Sequence, residues 1–130
     1  MTPFSQALYN FWSNFGLPAY QADMVPDGTP FPYVTFETVY GAPFGANVLS
    51  ARIWWKDVQG DNALPHIAAW LDRVKAAIPP QGVKLAAAGG FFILYPNDAN
   101  FLSYEADPST AAEDLKLLSG RVSYEIHYYL

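Results

Sequence analysis

Apolar residues at Phe4, Ala7, Leu8, Phe11, Trp12 and Phe15 follow the three- and four-residue spacing of one helix face, with Thr2 and Pro3 before it and Gly16 as a stop. This pattern predicts an amphipathic helix whose aromatic stripe packs onto a sheet. The following stretch carries prolines at 18, 26, 30 and 32 and a turn-forming Asp27-Gly28, so it is expected to be an extended loop without regular structure. From Tyr33 the spacing changes to a period of two. Val34, Phe36, Thr38 and Tyr40 fall on one face of a predicted strand and Tyr33, Thr35, Glu37 and Val39 on the other. After the turn signals in GAPFGAN the alternation resumes, with Leu49, Ala51, Ile53 and Trp55 opposed to Ser50, Arg52, Trp54 and Lys56. The two runs predict an antiparallel hairpin.

A second helix is expected from Asp61 or Asn62, with Pro65 tolerated in its first turn. Leu64, Ile67, Ala68, Leu71, Val74 and Ile78 form its buried face before Pro79, Pro80 and Gly82 end it. The apolar run VKLAAAGGFFILY follows, where Gly89-Gly90 marks either a tight turn between two short strands or a bulge in one. Residues 97–114 turn polar and small and read as a loop, with at most a short helical turn at Pro108, Ser109 and Thr110. The closing VSYEIHYYL reads as a strand with Val122, Tyr124, Ile126, Tyr128 and Leu130 inward and Ser123, Glu125, His127 and Tyr129 outward, its end tied into the sheet. The expected fold is one α+β domain over residues 1–130, a mostly antiparallel sheet of about four to five strands with two main helices on one face.

Composition adds an imbalance to this picture. The chain has 130 residues, enough to bury a core without staples, and 22 of them are aromatic against 19 that are charged. So little polar material to cover a free surface points to a partner or an oligomer, unless the aromatics are simply spent on the core. A net charge of −5 with 7 unclustered Lys and Arg offers no patch to neutralise phosphates, which argues against nucleic-acid recognition. Neither the N-terminus nor the longest apolar run, Leu85 to Tyr95, has the form of a signal peptide or membrane span, so the expectation is a cytoplasmic protein or one carried out in a larger particle.

Candidate chemistry is sparse. There is no cysteine, and the histidines, His66 and His127, lack any short spacing that would bring two metal ligands together, so neither a metal nor a cofactor is expected. The carboxylates lie mostly where turns and helix caps use them. No nucleophile elbow or phosphate-cradling loop is present, and an enzyme is not expected. The features that stand out are suited to contacts instead. Trp54 shares a face with Arg52 and Lys56, and the proline loop carries Tyr20 and Phe31. Trp54 then either stays open until a partner covers it or packs under a loop of its own subunit.

Residues 7–37 resemble the N-terminal signature of a family of tail proteins from long-tailed bacteriophages and prophages. The matching features are Phe15-Gly16 at the helix end, Ala19-Tyr20, the turn Val25-Pro26-Asp27 and the strand Pro32-Tyr33-Val34-Thr35-Phe36-Glu37. The order of the later elements is similar, including the paired tryptophans, the second helix and the glycine pair. The stretches Leu85 to Ala88 and Ala106 to Asp114 follow the family pattern more loosely.

The resemblance implies a tail terminator, also described as a tail-completion or head–tail joining protein, without enzymatic activity or cofactor. It implies assembly into a ring, expected to be hexameric, that stops growth of the tail tube. Its partners would be other copies of the chain, the tail-tube protein and the head-connector protein, with no membrane or nucleic-acid sequence recognised. Its location would be the virion tail or neck, and the host cytoplasm during assembly. Another neck or minor tail component is the alternative, and a small ligand-binding domain a more distant one. On this reading Arg52, Trp54, Lys56, Tyr20, Phe31 and Asp107 are the candidate subunit or tail-tube contacts.

Overall fold

The structure is a computed structural model and describes residues 3–38, 46–87, 89–97, 101–106 and 116–129. Among them the order is α1 (Pro3–Ser13), β1 (Ala19–Gln21), β2 (Tyr33–Phe36), β3 (Ala46–Lys56), α2 (Ala63–Ala77), β4 (Val83–Ala87), β5 (Gly90–Pro96), β6 (Leu102–Ala106) and β7 (Leu117–Tyr129). The fold is α+β, with one mixed sheet ordered β1-β2-β3-β7-β5-β4 and β6 also paired to β7.

The hairpin of β2 and β3 forms with Tyr33 opposite Trp54 and Thr35 opposite Arg52. Of the residues predicted for its first strand, Val39 and Tyr40 lie outside the described set. The glycine pair closes a second hairpin between β4 and β5, where Gly89 takes the positive φ of 82° that a tight turn requires. β7 is the axis of the sheet. It pairs with β3 along most of its length, while β6 and then β5 share its other edge.

Two expectations about the sheet are corrected. Among the described residues it has seven strands rather than four to five, and one pair, β1 with β2, is parallel. Both differences come from strands hidden in segments read as loops. β1 is three residues long, held between Pro18 and the turn at Asp23, and its ladder runs Ala19 opposite Val34, Tyr20 opposite Thr35 and Gln21 opposite Phe36. β6 lies in the polar stretch after Asn97 and borrows its order from the edge of β7.

Both helices pack on one face of the sheet. Trp12 of α1, completely buried, stacks on Trp70 of α2 at 6.0 Å and meets the Tyr124 ring of β7 at 5.5 Å. Phe4 reaches Tyr128 edge-on at 4.8 Å. The helix-facing residues of β7 are Gly120, Val122, Tyr124, Ile126 and Tyr128. Gly120 is required there, because a Cβ would come within 2.7 Å of an Ile67 methyl and 3.0 Å of an Ile53 methyl.

The α2 stripe is rotated from the predicted one. Ala63, Ile67, Trp70, Leu71 and Val74 are buried, whereas Leu64 is 40% exposed and Ala68 faces solvent. Trp70 takes that place because its ring completes the stack with Trp12. Asn62 makes no side-chain cap; Asp57 Oδ1 instead accepts from the Ala63 N–H at 2.7 Å. Burial pushes the Tyr124 phenol well above its ordinary value, and no hydrogen bond of ordinary geometry joins it to the nearby Trp12 indole.

Candidate contact surface

α1 and α2 cover one face, and on the other face the strands carry every second residue outward, with no helix over it among the described residues. On β2 and β3 these are Tyr33, Thr35, Ser50, Arg52, Trp54 and Lys56, and on β7 they are Ser119, Arg121, Ser123, Glu125, His127 and Tyr129.

The structure gathers four of the sequence-selected residues at one end of this face. Tyr20 meets Tyr33 edge-on at 5.9 Å, and Phe31 stacks on the same ring at 5.1 Å. Tyr33 stands opposite Trp54, so three strands and the proline loop build one aromatic cluster. Burial is the main reason the Tyr33 phenol is pushed up, with Tyr20 adding to it. The Trp54 indole N–H donates to Thr35 Oγ1 at 3.0 Å, and the Arg52 guanidinium lies 5.8 Å from its ring centre. Arg52 also donates to Ser119 Oγ at 3.2 Å. Trp54 is therefore half-buried, anchored within its own subunit by Thr35 and by the Arg52 guanidinium over its ring.

Lys56 ends the same row of β3, opposite Leu117. Asp107 lies outside the described residues.

An open groove of about 480 Å³ runs beside this cluster, bounded by Tyr33, Thr35, Glu37, Ser50, Arg52 and Trp54, with Ala22, Asp23, Val25 and Phe36 completing it. Its floor is fixed by Glu37, whose Oε1 accepts from the Ser50 N–H at 3.1 Å and from the Ser50 hydroxyl. Lining of this kind, part aromatic and part polar with one guanidinium, suits a peptide or protein surface. The opposite end of the face holds a second aromatic group. Phe91 stacks on Tyr129 at 5.0 Å, and Lys84 Nζ sits 4.1 Å from the Phe91 ring centre.

Sequence reasoning missed Arg121. β7 begins five residues before the predicted strand, and this brings Arg121 into register with Arg52. The signal was the alternation Leu118, Gly120, Val122, interrupted only in appearance by the glycine. Ser123 lies on the outward face as expected, yet it is 4% exposed and its hydroxyl accepts from Asn97 Nδ2 at 3.1 Å.

His66 stands in the first turn of α2, its ring stacked on Trp55 at 4.4 Å and its Nε2 within 2.9 Å of the Asp61 carboxylate. A hollow of about 230 Å³ adjoins it, walled by Phe15, Leu17, Trp55, Trp70 and Arg73. No serine, threonine, cysteine or lysine is among the described residues that line it. His127 lies on the outer face of β7, against Tyr95 and 3.4 Å from Glu125. Among the described residues there is no group of three or more His, Cys, Asp or Glu placed to hold a metal, and no helix long and apolar enough to cross a membrane.

No protein-family model and no curated protein matches the chain. A solved structure whose name carries no statement of function is similar over 98% of this chain and 93% of its own, with a TM-score of 0.53 and 13% identity. The likeness is one of fold.

Proposed function

We propose that this chain is a structural subunit of a long phage tail, forming a ring at the head-proximal end that terminates the tail tube and joins it to the head. The observation that carries the reading is the sheet face left bare by both helices, with Trp54, Arg52, Tyr20 and Phe31 gathered on it. An aromatic cluster with an arginine on a face that neither α1 nor α2 covers has the composition of an interface centre, and closed rings are built when such a patch meets a different surface of the next copy. The N-terminal signature supplies the tail assignment, and the α+β fold with a single sheet accommodates it.

In this reading the partners are further copies of the chain, the tail-tube protein and the head connector, and the protein resides in the virion tail or neck after assembly in the host cytoplasm. Light scattering across a concentration series, followed by electron microscopy, tests it: a closed ring that caps isolated tail tubes is the expected result. Binding to filled heads instead of tubes would favour a neck or connector subunit. A strict monomer that binds neither would refute the tail role.

A second reading rests on His66, Asp61 and the adjoining hollow, which together could hold a small ligand. A fragment screen followed by amide shifts would support it if the shifts clustered at residues 15–17, 55 and 66–73 and were lost in His66→Ala.

A further inference from the structure

The hollow beside His66 lies on the helix side of the sheet, between the end of α1, the β3 residue Trp55 and one face of α2. Phe15, Trp55 and Trp70 wall it with rings, and Leu17 adds to that apolar surface. His66, Ala69 and Arg73 follow one another at three- and four-residue steps along α2, so they share a helix face, with the small Ala69 between two long polar side chains. Seven residues of helix separate His66 from Arg73 by about 10 Å along the axis, which puts the two at opposite ends of the hollow.

The two polar ends are not alike. His66 turns its Nε2 to the Asp61 carboxylate and stacks on Trp55 with the rings 4° from parallel. Arg73 has no carboxylate partner among the described residues. Its Nη1 donates to the Phe15 carbonyl at 2.9 Å, and its guanidinium lies 5.7 Å from the Phe15 ring centre, so uncharged groups hold the side chain in place. A guanidinium carries five N–H donors, and this anchor uses one of them. The rest of the fork is exposed at the rim of an aromatic hollow.

We propose that the hollow binds a small aromatic carboxylate, its ring against Trp55 and Trp70 and its carboxylate on the Arg73 guanidinium. The inference rests on reading the hollow as a ligand site and is independent of the tail assignment. Volume sets the size of the ligand. A cavity of about 150 Å³ accepts benzene, so a hollow of about 230 Å³ suits one ring bearing a carboxylate. Charge sets its class. A single guanidinium matches a carboxylate through two parallel hydrogen bonds, whereas a phosphate dianion would keep part of its charge unmatched and a cation would meet Arg73 itself.

The probe is benzoate, titrated into the isotopically labelled protein, with benzamide as the uncharged control of the same shape. Saturable shifts of the Trp55 and Trp70 indole signals and of amides at residues 15–17 and 66–73 are expected, with benzamide weaker by about tenfold or more. Arg73→Gln should lower the affinity for benzoate to that for benzamide. Arg73→Lys, which keeps the charge without the planar fork, should fall between wild type and Arg73→Gln. Ala69→Leu fills the hollow from an exposed helix position and should abolish binding of both compounds with the melting temperature unchanged.

Benzamide binding as tightly as benzoate, or a benzoate affinity indifferent to Arg73→Gln, would overturn the carboxylate and leave the ligand site standing. So would benzoate leaving these residues unmoved while other fragments shift them. If no compound shifts them, or if binding survives Ala69→Leu, both the carboxylate and the site are overturned. Should Arg73→Gln unfold through loss of its link to Phe15, benzoate against benzamide on the wild type and on Ala69→Leu decides the matter.

Discussion

Trp54→Ala separates a contact residue from a core residue, because the structure sets different magnitudes for the two roles. A tryptophan sealed in a core loses about 3–5 kcal/mol on truncation to Ala. Trp54 is only half-buried, so less is at stake within the subunit. The substitution removes one hydrogen bond, from the indole to Thr35, which contributes about 1 kcal/mol. It also removes the contact with Arg52, about 0.5 kcal/mol at a partly solvated site, and a share of apolar burial of similar size.

The expected destabilisation of the isolated subunit is therefore about 2 kcal/mol, or roughly 7 °C in melting temperature for a chain of this length. Assembly should suffer far more, since an aromatic anchor at the centre of a contact contributes about 2–4 kcal/mol or more to binding. Urea denaturation of the monomer and light scattering of the assembly, both on the same variant, give the two numbers. A monomer destabilised by 4 kcal/mol or more with assembly unchanged would refute the reasoning, and would make Trp54 part of its own subunit's packing.

Other consequences can be tested alongside. Gly120→Ala places a methyl within 2.7 Å of Ile67 and 3.0 Å of Ile53, and should destabilise the fold by about 1–3 kcal/mol in chemical denaturation. Trp12→Ala, at a fully buried position in contact with Trp70 and Tyr124, should lose about 3–5 kcal/mol by the same measurement. The Tyr124 phenol, raised by burial from its ordinary 10.0, stays protonated in the folded chain after it has ionised in the unfolded one. Its contribution is thus fully present below pH 10 and is lost as pH rises, at about 1.4 kcal/mol per unit. Denaturation curves between pH 9 and 11 should show a slope that is smaller in Tyr124→Phe by about that amount.

Elements defined by their own periodicity were legible before folding. The stripe from Phe4 to Phe15, the alternation of β2 and β3 and the inward set Val122, Tyr124, Ile126 and Tyr128 all record which side of an element meets the core. Elements whose order comes from a neighbour were not. Ala19–Gln21 is too short to show a period and becomes a strand because β2 offers it an edge; Leu102–Ala106 owes its place to the edge of β7. The same distinction runs through the contact face. Arg52, Trp54 and Lys56 could be placed together because they alternate along one strand, and Tyr20 and Phe31 were singled out as loop aromatics. Their convergence on Tyr33 depends on a parallel pairing that local spacing does not encode. Arg121 was hidden by Gly120, a residue that reads as a strand breaker and is instead demanded by Ile67 and Ile53 across the sheet.

The central place of β7 also sets a timetable for biosynthesis. β3 is complete at Lys56, but its long ladder partner does not end until Tyr129. At about 5–20 residues per second, a ribosome takes roughly 4–15 s to make the intervening chain. Throughout that interval the inner edge of β3, and that of β5 once it has been made, lack the β7 strand with which they pair. The two halves of the sheet can be joined only once β7 has left the exit tunnel, so β3 must wait, unpaired on that side, for a strand made more than sixty residues later.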